Sequence, residues 1–104
     1  MSNPTGLTTE LAAARAAWVE ARDARRTAEA DFAHDEGLED EAWAAYDAVS
    51  PELPEAREAY RKAQAARNER LYSCDHLEYA ERVEEDAEHE YLRVCAAAGC
   101  QPDW

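Results

Sequence analysis

Isoleucine is absent from this 104-residue chain, lysine occurs once and glycine three times. Leu, Val and Phe together supply only 12 residues. So little large aliphatic packing predicts a thin core and favours oligomerisation over a self-sufficient monomer. Scarce glycine leaves little material for active-site loops. The sequence has no Gly-rich phosphate loop, no nucleophile elbow, and no lysine placed for covalent chemistry. We therefore expect a protein that is not an enzyme and needs no cofactor. No apolar run approaches the length of a membrane span, and the first residues lack a basic-plus-apolar signal pattern. Three cysteines form an odd number without framework spacing, which fits a reducing, cytoplasmic setting.

What the chain does contain is helix-forming. Ala, Glu, Leu, Arg and Lys make up 58 of the 104 residues, a composition typical of coiled coils and long helices. Three Trp and five Tyr add buried area that the aliphatic count misses. Ten Arg against one Lys, with 24 Ala, suggests a GC-rich bacterial or phage genome. The expected fold is all-α: one domain over residues 1–104, an antiparallel helical bundle of three or four helices with a long C-terminal helix, assembled as a homodimer.

Periodicity places the helices at about 9–36, 38–49 and 54–98. Thr8 or Thr9 can cap the first, with Leu7 as a hydrophobic staple. Its seam runs Leu11, Ala14, Trp18, Ala21, Ala28 and Phe32, interrupted by Arg25, in the three-four spacing of a helix face. Gly37 reads as a left-handed helix end. Leu38, Ala42, Ala45 and Val49 then line a second helix, with Trp43 and Tyr46 beside them. Pro51 and Pro54 break the chain there, and either can open the third helix. From that point the seam Ala59, Ala63, Ala66, Arg70, Ser73, Leu77, Ala80, Glu84, Ala87, Tyr91, Val94 keeps its rhythm. That predicts one helix of about 66 Å. Against it, Tyr72-Ser73-Cys74-Asp75-His76 is a run of poor helix formers, and Asp75 with Glu78 could cap a new helix.

Charge is the strongest functional signal. The net charge is −13, from 24 acidic and 11 basic residues. Such a chain is repelled by nucleic acid and by anionic membranes, and attracted to basic protein surfaces. Glu78, Glu81, Glu84, Glu85, Asp86, Glu88 and Glu90 fall close together with Arg82 as the one fixed cation among them. A second acidic zone spans residues 34–41. Carboxylates three and four residues apart on a helix lie about 5–6 Å from one another. That is comparable to successive phosphates, which rise about 3.4 Å per nucleotide and also wind sideways. The expected partner-binding residues are Asp35, Glu36, Glu39, Asp40, Glu78, Glu81, Glu84, Glu85, Glu88 and Trp104. The basic clusters Arg22, Arg25, Arg26 and Arg57, Arg61, Lys62, Arg67, Arg70 read as partners for these acids, with no direct nucleic-acid contact.

Three metal or redox patterns are weaker. Asp31…His34 and Asp86…His89 share the carboxylate-x-x-His spacing of di-iron bundles but lack the accompanying Glu ligands. A break near Cys74 could bring Cys74, Asp75 and His76 towards His34 and Asp35 as a zinc set. Cys95 and Cys100 read as small hydrophobes that touch at a helix end if Gly99 is left-handed. No metal is expected.

The function these residues favour is a small acidic protein that binds and blocks a basic, nucleic-acid-handling partner. In size, charge and helicity the chain resembles small phage-encoded inhibitors of host defence such as anti-CRISPR proteins, a likeness of class that no shared motif carries. A structural or adaptor coiled-coil dimer is the alternative, followed by a small metal-binding bundle.

Overall fold

Alanine-rich sequence with an unbroken three-four rhythm forms two long helices, α1 (Thr5–Asp47) and α2 (Pro54–Ala98). The computed structural model describes the backbone from Thr5 and the side chains from Thr8 to Trp104. The chain is all-helical, with no strand among the described residues. Two helices stand where three or four were expected. Thr8 and Thr9 lie inside α1 and cap nothing, while the Leu7 staple lies outside the described side chains.

Gly37 does not end a helix. Among the described residues the one glycine with positive φ is Gly99, at 71°, so Gly37 is an ordinary helical residue. Its cost of about 1 kcal/mol relative to Ala is outweighed by packing on either side. α1 stops instead just before Ser50-Pro51, where proline disfavours helical backbone in the residue ahead of it. The Leu53 N–H donates to the Ser50 carbonyl at 3.1 Å, closing a β-turn with Pro51 in the position proline prefers. Pro54 opens α2, where its missing N–H is no loss, and Glu55 meets the positive end of the helix dipole.

α2 runs through Tyr72–His76 without a break. Its far end is a complete Schellman cap. The Cys100 N–H donates to the Cys95 carbonyl at 3.0 Å and the Gly99 N–H to the Ala96 carbonyl at 3.2 Å, with Gly99 left-handed.

The contacts divide the chain into two units. Among the described residues, unit 1 joins 5–26 to 79–104. As α1 advances through Glu10, Trp18 and Arg25, its partners recede through Arg93, Tyr91 and Glu84, so the segments are antiparallel. Its core is Ala14, Trp18, Tyr91, Val94 and Cys95, with Leu11, Val19 and Ala87 against it. Burying each large side chain contributes about 1.5–3 kcal/mol.

Unit 2, residues 27–78, is also antiparallel: Asp35, Glu39 and Tyr46 meet Ser73, Arg70 and Tyr60 in turn. Its core is thinner. Ala28, Ala56 and Ala63 are buried, and Ala63 is 0% exposed. Trp43, Tyr46 and Tyr60 form an aromatic cluster with ring centroids 5.5–5.9 Å apart. The α1 seam here runs through Asp35, Glu39, Ala42 and Tyr46, continuing the rhythm of Phe32, and Val49 follows just past the helix end. Leu38, expected in the seam, is 45% exposed, and Ala45 is exposed as well.

Helical Gly37 has a direct test. A Cβ added there meets no atom within 4 Å, so Gly37→Ala should stabilise the protein by about 0.5–1 kcal/mol. Urea unfolding measures this; destabilisation would mean that α1 ends at the glycine after all.

Candidate functional site

The charges that interrupt the two seams are paired. In unit 1 the Arg25 Nε donates to Glu84 Oε2 at 2.8 Å, with both side chains about one-fifth exposed. In unit 2 the Arg70 Nε donates to Glu39, and the Ser73 hydroxyl donates to Asp35. The Trp43 indole N–H also reaches Glu39, at 3.3 Å. The Arg70 and Trp43 bonds hold the Glu39 carboxyl below its usual range, the Arg70 bond contributing most.

Among the expected partner-binding residues, Asp35, Glu39 and Glu84 thus serve the molecule's own seam. Glu36, Asp40, Glu78, Glu81 and Glu85 are exposed, and Glu88 is half-buried. Glu78, Glu81 and Glu85 fall on one flank of α2, one residue beyond the seam positions Leu77, Ala80 and Glu84. Among the described residues no ion pair involves Glu81 or Glu85. Glu90 is drawn back by Arg93, which also reaches Glu10 at 3.6 Å. Unit 1 carries ten acidic and six basic residues and unit 2 fourteen and five, so unit 2 is the more negative.

Four of the eight residues in the basic clusters have partners. Arg22 stacks over Trp18 at 5.1 Å and contacts Asp23 at 3.3 Å. Arg25 and Arg70 are held in the seam pairs, and Arg61 lies 3.6 Å from Glu58.

Trp104 sits at the end of a clasp that the sequence reading missed. Beyond the Schellman turn, the Asp103 carboxylate accepts from Arg15 Nε at 2.7 Å and from the Tyr91 hydroxyl at 2.7 Å. These bonds hold the Asp103 carboxyl below its usual range, the Tyr91 bond first. The same bond, with burial, pushes the Tyr91 hydroxyl up. The Trp104 ring then lies 4.8 Å from Trp18 and 5.3 Å from Tyr91, yet the residue keeps 51% of its surface exposed. A cleft of about 190 Å³ opens beside it, walled by Trp18, Arg22, Arg25, Glu84 and Glu88.

In unit 2 a larger cleft, about 560 Å³, lies between Tyr46, Tyr60, Arg57 and the prolines of the turn. This volume is within the usual range for small-molecule pockets, and Glu52 also lines it.

The metal patterns do not assemble. Asp31, His34, Asp86 and His89 are all exposed. Asp35 engages Ser73, and Cys74 leans towards Glu78 at 3.9 Å. Among the described residues no three His, Cys, Asp or Glu side chains are grouped to hold a metal ion. Cys74, Cys95 and Cys100 are free thiols. No described helix is long and apolar enough to cross a membrane. Compared with known families, characterised proteins and solved structures, the chain has no match.

The clasp makes a pH-dependent prediction. A depressed carboxyl stabilises the clasp above its unfolded pKa and loses that contribution as pH falls through the folded value. The raised Tyr91 hydroxyl acts oppositely, holding below its unfolded pKa and failing as pH rises through the folded one. Trp fluorescence should therefore report a fully docked tail between about pH 4 and pH 10, with progressive release as pH moves further beyond either limit. Asp103→Asn should remove the acid limb; a transition that survives this change would place its origin elsewhere.

Proposed function

We propose that this is a small acidic, non-enzymatic protein that binds a basic partner surface and blocks its access to nucleic acid. The observation that carries this reading is the outward acidic flank of α2. After the seam takes Glu84 and Arg93 takes Glu90, Glu81 and Glu85 still face solvent without a cation of their own. They are fixed on a continuous helix with helical carboxylate spacing, close to the spacing of phosphates along a strand. Glu36 and Asp40 are exposed on α1 within unit 2. The proposed setting is cytoplasmic, as in phage anti-defence inhibitors, with no membrane and no direct nucleic-acid contact.

The test is capture of a partner from the host by this protein, followed by displacement of that partner's nucleic acid. Displacement should weaken steeply as salt rises. Glu81→Lys with Glu85→Lys keeps a like-charge pair between the two positions but sets position 81 beside Glu78 and Glu84 and position 85 beside Glu88 at i,i+3 spacing, so helicity should hold. Partner capture should be lost. Undiminished capture by the folded double variant at low salt would remove this face from the function.

A second reading has its own support. A heptad seam runs along both helices, and Leu53, Tyr60, Leu71, Tyr72, Tyr79 and Leu92 are exposed, Tyr72 at 73%. This is what an adaptor coiled coil presents to another chain. Two copies would supply the four helices of a bundle around a single domain from each chain. Light scattering should then give a dimer mass at micromolar concentration. A monomer mass up to millimolar concentration would count against the bundle.

A further inference from the structure

We propose that Cys95 and Cys100 form a peroxide-responsive dithiol, and that oxidation joins them into a disulfide locking the end of α2 and the tail that carries Trp104. The Schellman cap supplies the geometry. Its outer hydrogen bond runs from the Cys100 N–H to the Cys95 carbonyl at 3.0 Å. Residues joined this way occupy the two cap positions whose side chains meet, and their Cα atoms lie on the order of 5–6 Å apart, inside the span a disulfide bridges. The left-handed Gly99 makes the reversal that turns Cys100 back towards Cys95.

The two thiols differ in access to solvent. Cys100 is exposed, whereas Cys95 is 2% exposed within the core of unit 1. Burial pushes the Cys95 thiol up, and its contact with the Cys100 sulfur adds to this, so Cys95 stays protonated and shielded. Peroxide therefore meets Cys100 first. The Cys100 thiolate attacks one peroxide oxygen, the O–O bond breaks, and the departing hydroxide takes a proton to become water. The resulting Cys100 sulfenic acid is then attacked by the Cys95 sulfur. The S–O bond breaks, and the released hydroxide leaves as water with the Cys95 proton. Two thiols lose two electrons, and one peroxide becomes two waters.

The consequence falls on the clasp. Cys100 begins the segment whose Asp103 is held by Arg15 and Tyr91 and whose Trp104 rests on Trp18. In the reduced protein the tail is held by non-covalent contacts: these, the Schellman hydrogen bond of Cys100 and the Trp104–Tyr91 ring contact. In the oxidised protein the tail is tied covalently to the last turn of α2, so Trp104 stays docked.

The test is brief treatment of the full chain with hydrogen peroxide, in parallel with diamide. Intact mass should fall by about 2 Da per chain, and reactive thiols should drop from three to one, leaving Cys74. Peptide mapping should join Cys95 to Cys100. Amide exchange at Cys100 should slow at least about tenfold, and dithiothreitol should restore it. Cys100→Ser, at an exposed position, should fold normally and show none of these changes. Three thiols surviving treatment, a chain-to-chain disulfide, or a gain of oxygen mass at Cys100 without bridging would each overturn the proposal. So would an exchange rate at Cys100 that oxidation leaves unchanged.

Discussion

Everything in this structure depends on how closely two alanine-lined helix faces can approach. With Ala14, Ala21, Ala28, Ala56, Ala63 and Ala80 buried, the segments can meet near the lower end of the 8–10 Å range for helix packing. Each alanine methyl yields only about 0.8 kcal/mol or less. Such a seam gives contact without much discrimination, because one alanine layer resembles the next. Register must come from the exceptions. In unit 1 a slip of one heptad would set Arg25 against Tyr91 and leave Glu84 half-buried without its cation. In unit 2 the same slip would oppose Glu39 to Ala63 or Leu77. Breaking a partly buried pair leaves an uncompensated charge. The ion pairs therefore act chiefly against wrong alignments, and the aromatic and Val94 contacts carry most of the stability.

The same constraint sorts the acidic residues. A carboxylate at a seam position must find a donor, and Asp35, Glu39 and Glu84 each do. One residue further round the helix no donor is required, and Glu81 and Glu85 face water. Sequence proximity had grouped these residues as one acidic surface, but helical phase divides them into structural and surface sets. Arg25 and Arg70, which looked like parts of basic patches, are committed by the same logic.

How much was legible in the sequence follows from which signals are local. The α2 seam was readable from Ala59 to Val94, charged members included, because no glycine or proline interrupts it. The Schellman end was readable because Gly99 coincides with the loss of rhythm and sits between cysteines at the two contacting positions. In α1 the rhythm also continues, through Phe32, Asp35, Glu39, Ala42 and Tyr46, but in sequence Gly37 looks like a stop and Leu38 like the next seam residue. A helical glycine costs about 1 kcal/mol, and packing on both sides exceeds that. The seam there chose acids with donors over an available leucine, which hydrophobic patterning cannot foresee. The Asp103 clasp lay beyond reach for a different reason. Its bond to Arg15 spans 88 positions, and no periodicity links a tail residue to a helix so distant in sequence.

These magnitudes bear on what the acidic flank means. Like charges four residues apart cost a helix roughly 0.2–0.5 kcal/mol per pair. A single large side chain in the unit 1 core contributes several times as much, so the fold can hold Glu81 beside Glu85 whether or not a partner ever neutralises them. Strain is therefore a weak argument for a binding surface. The stronger argument is placement: these carboxylates lie outside the seam, on a helix whose continuity fixes their spacing, while nearby acids in the seam already have donors. A solvating surface needs no such order and tolerates interspersed cations. This flank of α2 holds Glu78, Glu81 and Glu85 at helical intervals with the exposed Arg82 among them, so its excess charge is acidic but not free of cations.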